Sequence, residues 1–360
     1  MDDPTAPPRL RVDDFDYELP PSAIAQTPAE PRDSARLLVL DRSASRADAP
    51  ALHHATFRDI GRWLDPGDLL VVNDSRVIPA RLRGRRAGGG AAEVLALRPA
   101  DDPLTWLALV RPSRRLAVGA TVDLDGGERI IVGRRNPDGT RLVTFPRDPL
   151  AVMGAAGEMP LPPYIHDRSA PADRYQTVYA RPPGSAAAPT AGLHFTPALL
   201  GSLAAERVER ATVTLHVGLD TFRPLEGTFV DDHEIHREWY EVPAAAERAV
   251  AETRAAGRRV VAVGTTSTRV LETAARDGAR TGWSDLYVTP PFTFAAADAL
   301  VTNFHLPRSS LLLLVTAFVQ HGMPRGTAAL TARDTLLAAY RVALAAGYRF
   351  FSFGDAMLIV

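Results

Sequence analysis

The chain contains no cysteine and no lysine. Without cysteine there is no disulfide, thiolate nucleophile, iron–sulfur cluster or cysteine-held zinc, so chemistry must come from histidine, carboxylates, hydroxyls, arginine or backbone. Without lysine, all 41 basic residues are arginines, whose planar guanidinium forks onto carboxylate or phosphate where an ammonium acts as a point charge. A strong charge of either sign is missing too. The 41 basic and 42 acidic residues give a net charge of -1, so no global field steers the chain to nucleic acid and only a local basic face could do so. The longest apolar run, Leu311 to Val319, is about half of the ~20 residues a membrane helix needs. The start, MDDPTAPPRLRVDDFDYELP, is acidic and proline-rich, unlike a signal peptide. The expectation is a cytoplasmic protein with no membrane partner.

What is present is ordinary globular material: 360 residues, 46% hydrophobic and 23% charged, enough for about two domains. Between Val77 and Val143 the runs VIPARLRGRR, AEVLALRP, TWLALVRP, ATVDL, RIIVGRR and RLVTFP are short, β-branched and separated by glycine turns. That spacing suggests five or six strands of a small antiparallel barrel or sandwich. Beyond Gly154 the pattern alternates strand and helix: a helix from Thr196-Pro197 to Val208, a strand over 211–222, a helix from Pro243 and a strand over 260–263. A helix over 267–276 stopped at Gly278, strands near 285–288 and 299–303, helices after Ser309 and over 332–346, and a closing strand over 348–353 follow. The expected fold is a mixed α/β main domain, residues 1–75 and 152–360, interrupted by a β-barrel domain over 76–151.

Several segments carry candidate chemistry. In VVAVGTTSTRVLE, residues 260–272, a buried strand runs into Gly264, Thr265, Thr266 and Ser267 before a helix. The free N–H groups and positive dipole there favour an anion; the plainer reading is that Thr266 or Ser267 caps the helix. It is neither a Walker loop nor a dinucleotide GxGxxG. In GSAAAPTAGLHFT, residues 184–196, small residues lead to His194 and Phe195, suiting a closely approaching ligand with a ring for stacking, or a tight packing loop. His216 and His305 fall near expected strand ends, where sites of α/β folds gather. His233, His236 and Glu238 resemble a metal half-site, but HExxH is absent and no metal is expected. LLVVNDSRVIPARL delivers Asn73, Asp74, Ser75 and Arg76 to the junction of the two expected domains, a favoured place for a cleft or simply a polar turn. Arg81, Arg83, Arg85, Arg86, Arg111, Arg114 and Arg115 crowd the barrel, as a phosphate-facing surface or a solvated face.

Taken together, DFDYELPPSAIAQTPAEPRDSARLLVLDR, GDLLVVNDSRVIPARL, GEMPLPPYI, DRYQTVYA, APTAGLHFT, TLHVGLDTFRP, VAVGTTSTRVLE, ALVTNFHLPRSSLLLLVTAF and YRFFSFGDAML span nearly the whole chain. In these strings it resembles the S-adenosylmethionine:tRNA ribosyltransferase-isomerase family, which makes epoxyqueuosine in tRNA. The resemblance implies transfer and isomerisation of the ribosyl unit of S-adenosylmethionine, a co-substrate, onto 7-aminomethyl-7-deazaguanine at the tRNA wobble position, with release of adenine and methionine. It implies a partner tRNA and a monomer or weak oligomer. His194, His216 and His305 become the acid and base candidates, with Asp74 and Asp355 as carboxylate alternatives. Gly264, Thr265, Thr266, Ser267, Arg269, Glu272, Phe195 and Asn303 become candidates for holding the cofactor, with Phe304 a further stacking ring. Arg76, Arg81, Arg83, Arg114 and Arg115 become candidates for holding nucleic acid. Asp220 stands where the family pattern has glycine, and YVTPPFTF, residues 287–294, lacks the usual Pro-Gly-aromatic turn. The alternative readings are a paralogue acting on a free deazapurine or other small amine, and a non-catalytic RNA-binding protein; a methyltransferase lacks its glycine-rich loop.

Overall fold

The computed structural model describes residues 9–47, 49–218 and 225–360. Its strands are β1 (Arg36–Arg46), β2 (Ala49–Thr56), β3 (Leu69–Asn73), β4 (Arg76–Val77), β5 (Arg81–Arg86), β6 (Ala91–Pro99), β7 (Thr105–Arg111), β8 (Thr121–Leu124), β9 (Arg129–Arg135), β10 (Arg141–Thr144), β11 (Gly157–Glu158), β12 (Pro183–Ser185), β13 (Glu209–Leu215), β14 (Glu238–Glu241), β15 (Val260–Val263), β16 (Thr281–Ser284), β17 (Ala299–Asn303) and β18 (Ala356–Ile359). Its α-helices are α1 (Pro149–Ala156), α2 (Pro197–Ala205), α3 (Ala244–Ala255), α4 (Gly264–Asp277), α5 (Ser310–Gly322) and α6 (Ala329–Ala345).

Nine strands form the main sheet in the order β16-β14-β13-β3-β15-β17-β18-β1-β2. The central four, β13, β3, β15 and β17, run parallel. LLVVN, VVAV and ALVTN are buried along their whole length, as expected of parallel strands covered on both faces. Alternate side chains serve opposite cores: Leu69 and Val71 pack with α4, α5 and α6, while Leu70 and Val72 pack with Phe57 and the α2 residues Leu199 and Leu203.

The second unit is a six-stranded antiparallel ring, β5-β6-β7-β10-β9-β8, closed by pairing of β8 back to β5, with β11 added beside β5. Closure brings backbones together at Gly84, where a Cβ would lie 2.3 Å from the Asp123 carbonyl oxygen. Helix α1 plugs the barrel with Val152 and Met153, and β11 carries its elements to Glu158, past residue 151. The mixed α/β body with an inserted antiparallel barrel is therefore the observed architecture.

Local expectations differ in four places. Helix α4 starts at Gly264, not Ser267: Gly264 takes φ +90°, so the strand turns straight into the helix without a capping side chain. The strand expected over 285–288 lies at 281–284, where it pairs with β14, while Leu286 and Val288 enter the core. The closing strand expected over 348–353 is instead 356–359. Phe351 adopts φ +73°, and the Asp355 carboxylate accepts from the backbone N–H groups of Arg36 and Arg349, closing a turn before the strand begins. Strand β13 ends at Leu215, and Asp220 lies outside the described residues.

Candidate active site

The four parallel strands end side by side and deliver Asn73-Asp74-Ser75, Leu215-His216-Val217, Gly264-Thr265-Thr266 and Asn303-Phe304-His305. In open α/β sheets ligands bind outside the carboxyl ends of strands. There a pocket opens between the α4 N-terminus, the end of β17, segment 188–191 and Phe351-Ser352. Gly264, Thr265, Thr266, Asn303 and His305 all line it, together with Thr190, Val217 and Thr302.

Asn303 ties three walls together. Its Oδ1 accepts from the Thr190 hydroxyl at 2.8 Å and its Nδ2 donates to the Phe351 carbonyl at 3.2 Å. The His305 ring places Nε2 2.8 Å from the Thr302 hydroxyl, its backbone N–H donates to the Tyr340 hydroxyl, and its carbonyl accepts from the Tyr17 hydroxyl. Burial pushes His305 down to about 3, so at neutral pH it is an uncharged hydrogen-bonding ring. The Thr266 hydroxyl oxygen is buried without a hydrogen-bond partner among the described residues. Beside it, the first N–H groups of α4 have no partner within the helix and stand at its positive end.

His216 lies one residue from the pocket wall, and three groups hold its ring. Nδ1 is 2.7 Å from the Ser75 hydroxyl. The Trp239 indole stacks on one face, with centroids 5.2 Å apart and 20° between planes. At Gly184 a Cβ would lie 2.7–2.9 Å from Nε2, Cε1 and Cδ2 alike, so the backbone presses on the ring and any side chain there would displace it. Ser75 is set in turn by Asn73, whose Oδ1 accepts from the N–H groups of Ser75 and Leu215. Nε2 has no hydrogen-bond partner among the described residues, and burial pushes the ring to about 4. A neutral imidazole with one nitrogen oriented and the other open is equipped to move a proton. Nearby, Asp74 is buried, which raises its carboxyl, and it accepts from the Thr214 hydroxyl at 2.7 Å.

The other candidates do not meet the pocket. His194 is pinned between two carbonyls, Nδ1 to Ala191 at 3.1 Å and Nε2 to Gly354 at 3.0 Å, and stacks on Phe57. Phe195 is fully buried, edge-on to Phe57. Both oxygens of Asp355 hold backbone. The Ser267 hydroxyl donates to the Val263 carbonyl within the helix, and Phe304 stacks inside the core on Phe350. Glu272 accepts from the N–H groups of Ala295, Ala296 and Ala297 at 2.8–3.0 Å, fastening the segment after 287–294. Arg269 forms a buried ion pair with Glu238 and donates to the Leu286 carbonyl. Burial alone would raise Glu238, but the Arg269 charge and the bonds from His236 and Gly218 outweigh it and hold the carboxyl at about 2. His236 thus serves this ion pair at 3.0 Å, and no group of three or more metal-ligating side chains occurs among the described residues.

A family profile described as a queuosine biosynthesis protein matches residues 12–359. The chain belongs to the queuosine biosynthesis family. Relatives of this family named S-adenosylmethionine:tRNA ribosyltransferase-isomerase include that of Moorella thermoacetica, 50% identical over 98% of this chain and 100% of its own length. That of Gloeobacter violaceus is 50% identical over 97% of this chain and 96% of its own. The crystal structure of the S-adenosylmethionine tRNA ribosyltransferase of Thermotoga maritima superposes with a TM-score of 0.54 at 39% identity, covering 96% of this chain and 100% of that one.

In this member of the queuosine biosynthesis family none of the arginines assigned to nucleic acid lines the pocket. Arg76 is exposed on β4, Arg81 and Arg83 lie on the outward side of β5, and Arg114 and Arg115 are exposed in the turn after β7. Arg83 pairs with Glu158 at 3.1 Å, and Arg81 lies 3.8 Å from Glu93. Sequence reasoning missed Thr190, Thr302, Gly184 and Trp239. Thr190 and Gly184 stand in the same segment, 184–196, that carries His194 and Phe195 at its end. The hydroxyls of TLH, VTNFH and APT, each near a histidine, were the available signal.

Proposed function

We propose that the protein is an S-adenosylmethionine:tRNA ribosyltransferase-isomerase, transferring the ribosyl unit onto 7-aminomethyl-7-deazaguanine at the wobble position of tRNA, with release of adenine and methionine. The observation that carries this reading is 50% identity over nearly full length to enzymes of that name. The pocket's chemistry supports it. The methionine carboxylate of the co-substrate is received at the α4 N-terminus by Thr265, Thr266 and their N–H groups, with Gly264 admitting close approach. Asn303, Thr190 and the neutral His305 ring supply directional hydrogen bonds to sugar and base without bringing a competing charge. His216, turned by Ser75, accepts the proton through its open Nε2. Asp74 does not line the pocket; its buried carboxyl accepts from Thr214 and takes no part in the step. Arg76, Arg81, Arg83, Arg114 and Arg115 belong to the tRNA side: Arg76 stands on β4 beside β12, and the inserted barrel presents the other four.

The test is a product assay with purified protein, S-adenosylmethionine and tRNA carrying the 7-aminomethyl-7-deazaguanine. Adenine and methionine should appear only when that tRNA is present. Formation of S-adenosylhomocysteine, or no turnover, overturns the reading.

A further inference from the structure

On the barrel, β5, β6 and β7 point Leu82, Val94 and Val110 inward, so their alternate residues face outward. Outward rows follow from the register: Arg81 opposite Leu95 opposite Leu109, and Arg83 opposite Glu93 opposite Arg111. An outward sheet face should be polar if only water met it, yet Leu95 is 8% exposed and Leu109 partly buried. Segment 161–168 lies against them with Leu161, Pro162, Pro163 and Ile165, leaving a cleft edged by Arg81, Arg111 and Arg168.

The cleft carries more positive charge than its carboxylates neutralise. Arg83 at 3.1 Å and Arg168 at 3.6 Å share the single carboxylate of Glu158. Arg81 is held only loosely by Glu93 at 3.8 Å, and its Nε is buried with no hydrogen-bond partner among the described residues. Arg111 has no acidic partner among the described residues. A buried donor left unmade is costly, and guanidinium groups at an apolar floor suit an anion joined to a flat or apolar body.

We infer that this cleft binds a nucleotide of the RNA substrate away from the reacting base. Its phosphate sits between the guanidinium groups of Arg81, Arg111 and Arg168, and its sugar and base lie against Leu95, Leu109 and Pro163. The inference rests on the proposed activity toward tRNA and adds where the strand is gripped. The guanidinium groups fix position and carry the salt dependence, and the apolar floor is indifferent to base identity.

The experiment measures binding of a fluorescent tRNA transcript by wild type, Arg111→Ala, Arg168→Ala and the double variant over a range of salt, with the barrel variant Arg134→Ala as control and thermal melting to verify folding. Each cleft substitution is expected to weaken binding about 3–10-fold and to flatten the slope of log K against log salt by roughly 0.7–0.9 for every phosphate no longer neutralised; Arg134→Ala is expected to do neither. Arg111→Glu should weaken binding further than Arg111→Ala. Wild-type affinity and slope in the double variant overturn the cleft while leaving tRNA as substrate. A loss that is the same at every salt concentration, or equal in Arg134→Ala, also overturns it. Failure of the wild type itself to bind the transcript overturns the cleft, while the proposed activity stands or falls on the product assay with tRNA carrying the modified base.

Discussion

At the carboxyl ends of the main sheet the groups turned to the pocket are hydroxyls, one amide and a neutral imidazole, whereas the barrel cleft is edged by guanidinium groups over leucine and proline. The first set is directional and almost uncharged; the second is charged and tolerant of small displacements. The difference matches two recognition problems. A small co-substrate that must react at one carbon needs hydrogen bonds fixed before it arrives, since electrostatic preorganisation and orientation supply the rate. A polyanion needs attraction that acts at a distance and leaves the register to be set locally.

The comparison breaks most sharply at His216. His216→Asn keeps a polar side chain but removes the open imidazole nitrogen, so adenine release should fall by about 10²–10⁴ while tRNA binding and its salt slope stay as in the wild type. Gly184→Ala, whose Cβ would press into the same ring, should lower kcat by up to ~100-fold through misplacement alone. An unchanged kcat in both would remove His216 from the chemistry.

A second contrast sets ion pairs of the two regions against each other. Glu238→Gln strands Arg269 in the core and should cost about 3–5 kcal/mol of stability, read as a lower melting temperature. Asp123→Asn on the barrel, facing the exposed Arg129, should leave the melting temperature where it was. Equal effects would mean that the two environments are not distinct.

The smallest expected effect sharpens the anion end of the pocket. Thr266→Val replaces the unpartnered hydroxyl with a methyl of the same shape, and loss of about one hydrogen bond should raise the KM for S-adenosylmethionine roughly fivefold. The KM for tRNA should not move. A fall in the S-adenosylmethionine KM would show that the hydroxyl is a buried liability and not a ligand group.

The antiparallel unit was legible from its alternating apolar runs between glycine turns, though not whether they close into a barrel or pack as a sandwich, and the β15-to-α4 passage was legible as a buried strand running into a helix. Its starting point was not. GTTSTR carries four hydroxyls, of which Thr266 or Ser267 was the expected cap, and the structure uses none of them, because Gly264 makes the turn with its own backbone. The histidines were equivalent by spacing and are separated only by what each nitrogen meets. His194 meets the carbonyl of Gly354, 160 positions away, a partner that no local pattern reveals. Arg269 and Glu272 became ligand candidates through the family resemblance, but the helix rotates them toward Glu238 and the 295–297 backbone.

The place of β18 in the main sheet has a bearing on how the protein is made. It lies between β17 and β1, so the β1–β2 hairpin reaches the other strands only across β18. On the ribosome the hairpin emerges early and must wait for a partner synthesised on the order of tens of seconds later, while the barrel has every strand it needs once Glu158 has been added. Order of synthesis therefore favours a finished barrel attached to an open sheet edge, an edge exposed to wrong pairing until Ala356–Ile359 is threaded into the gap.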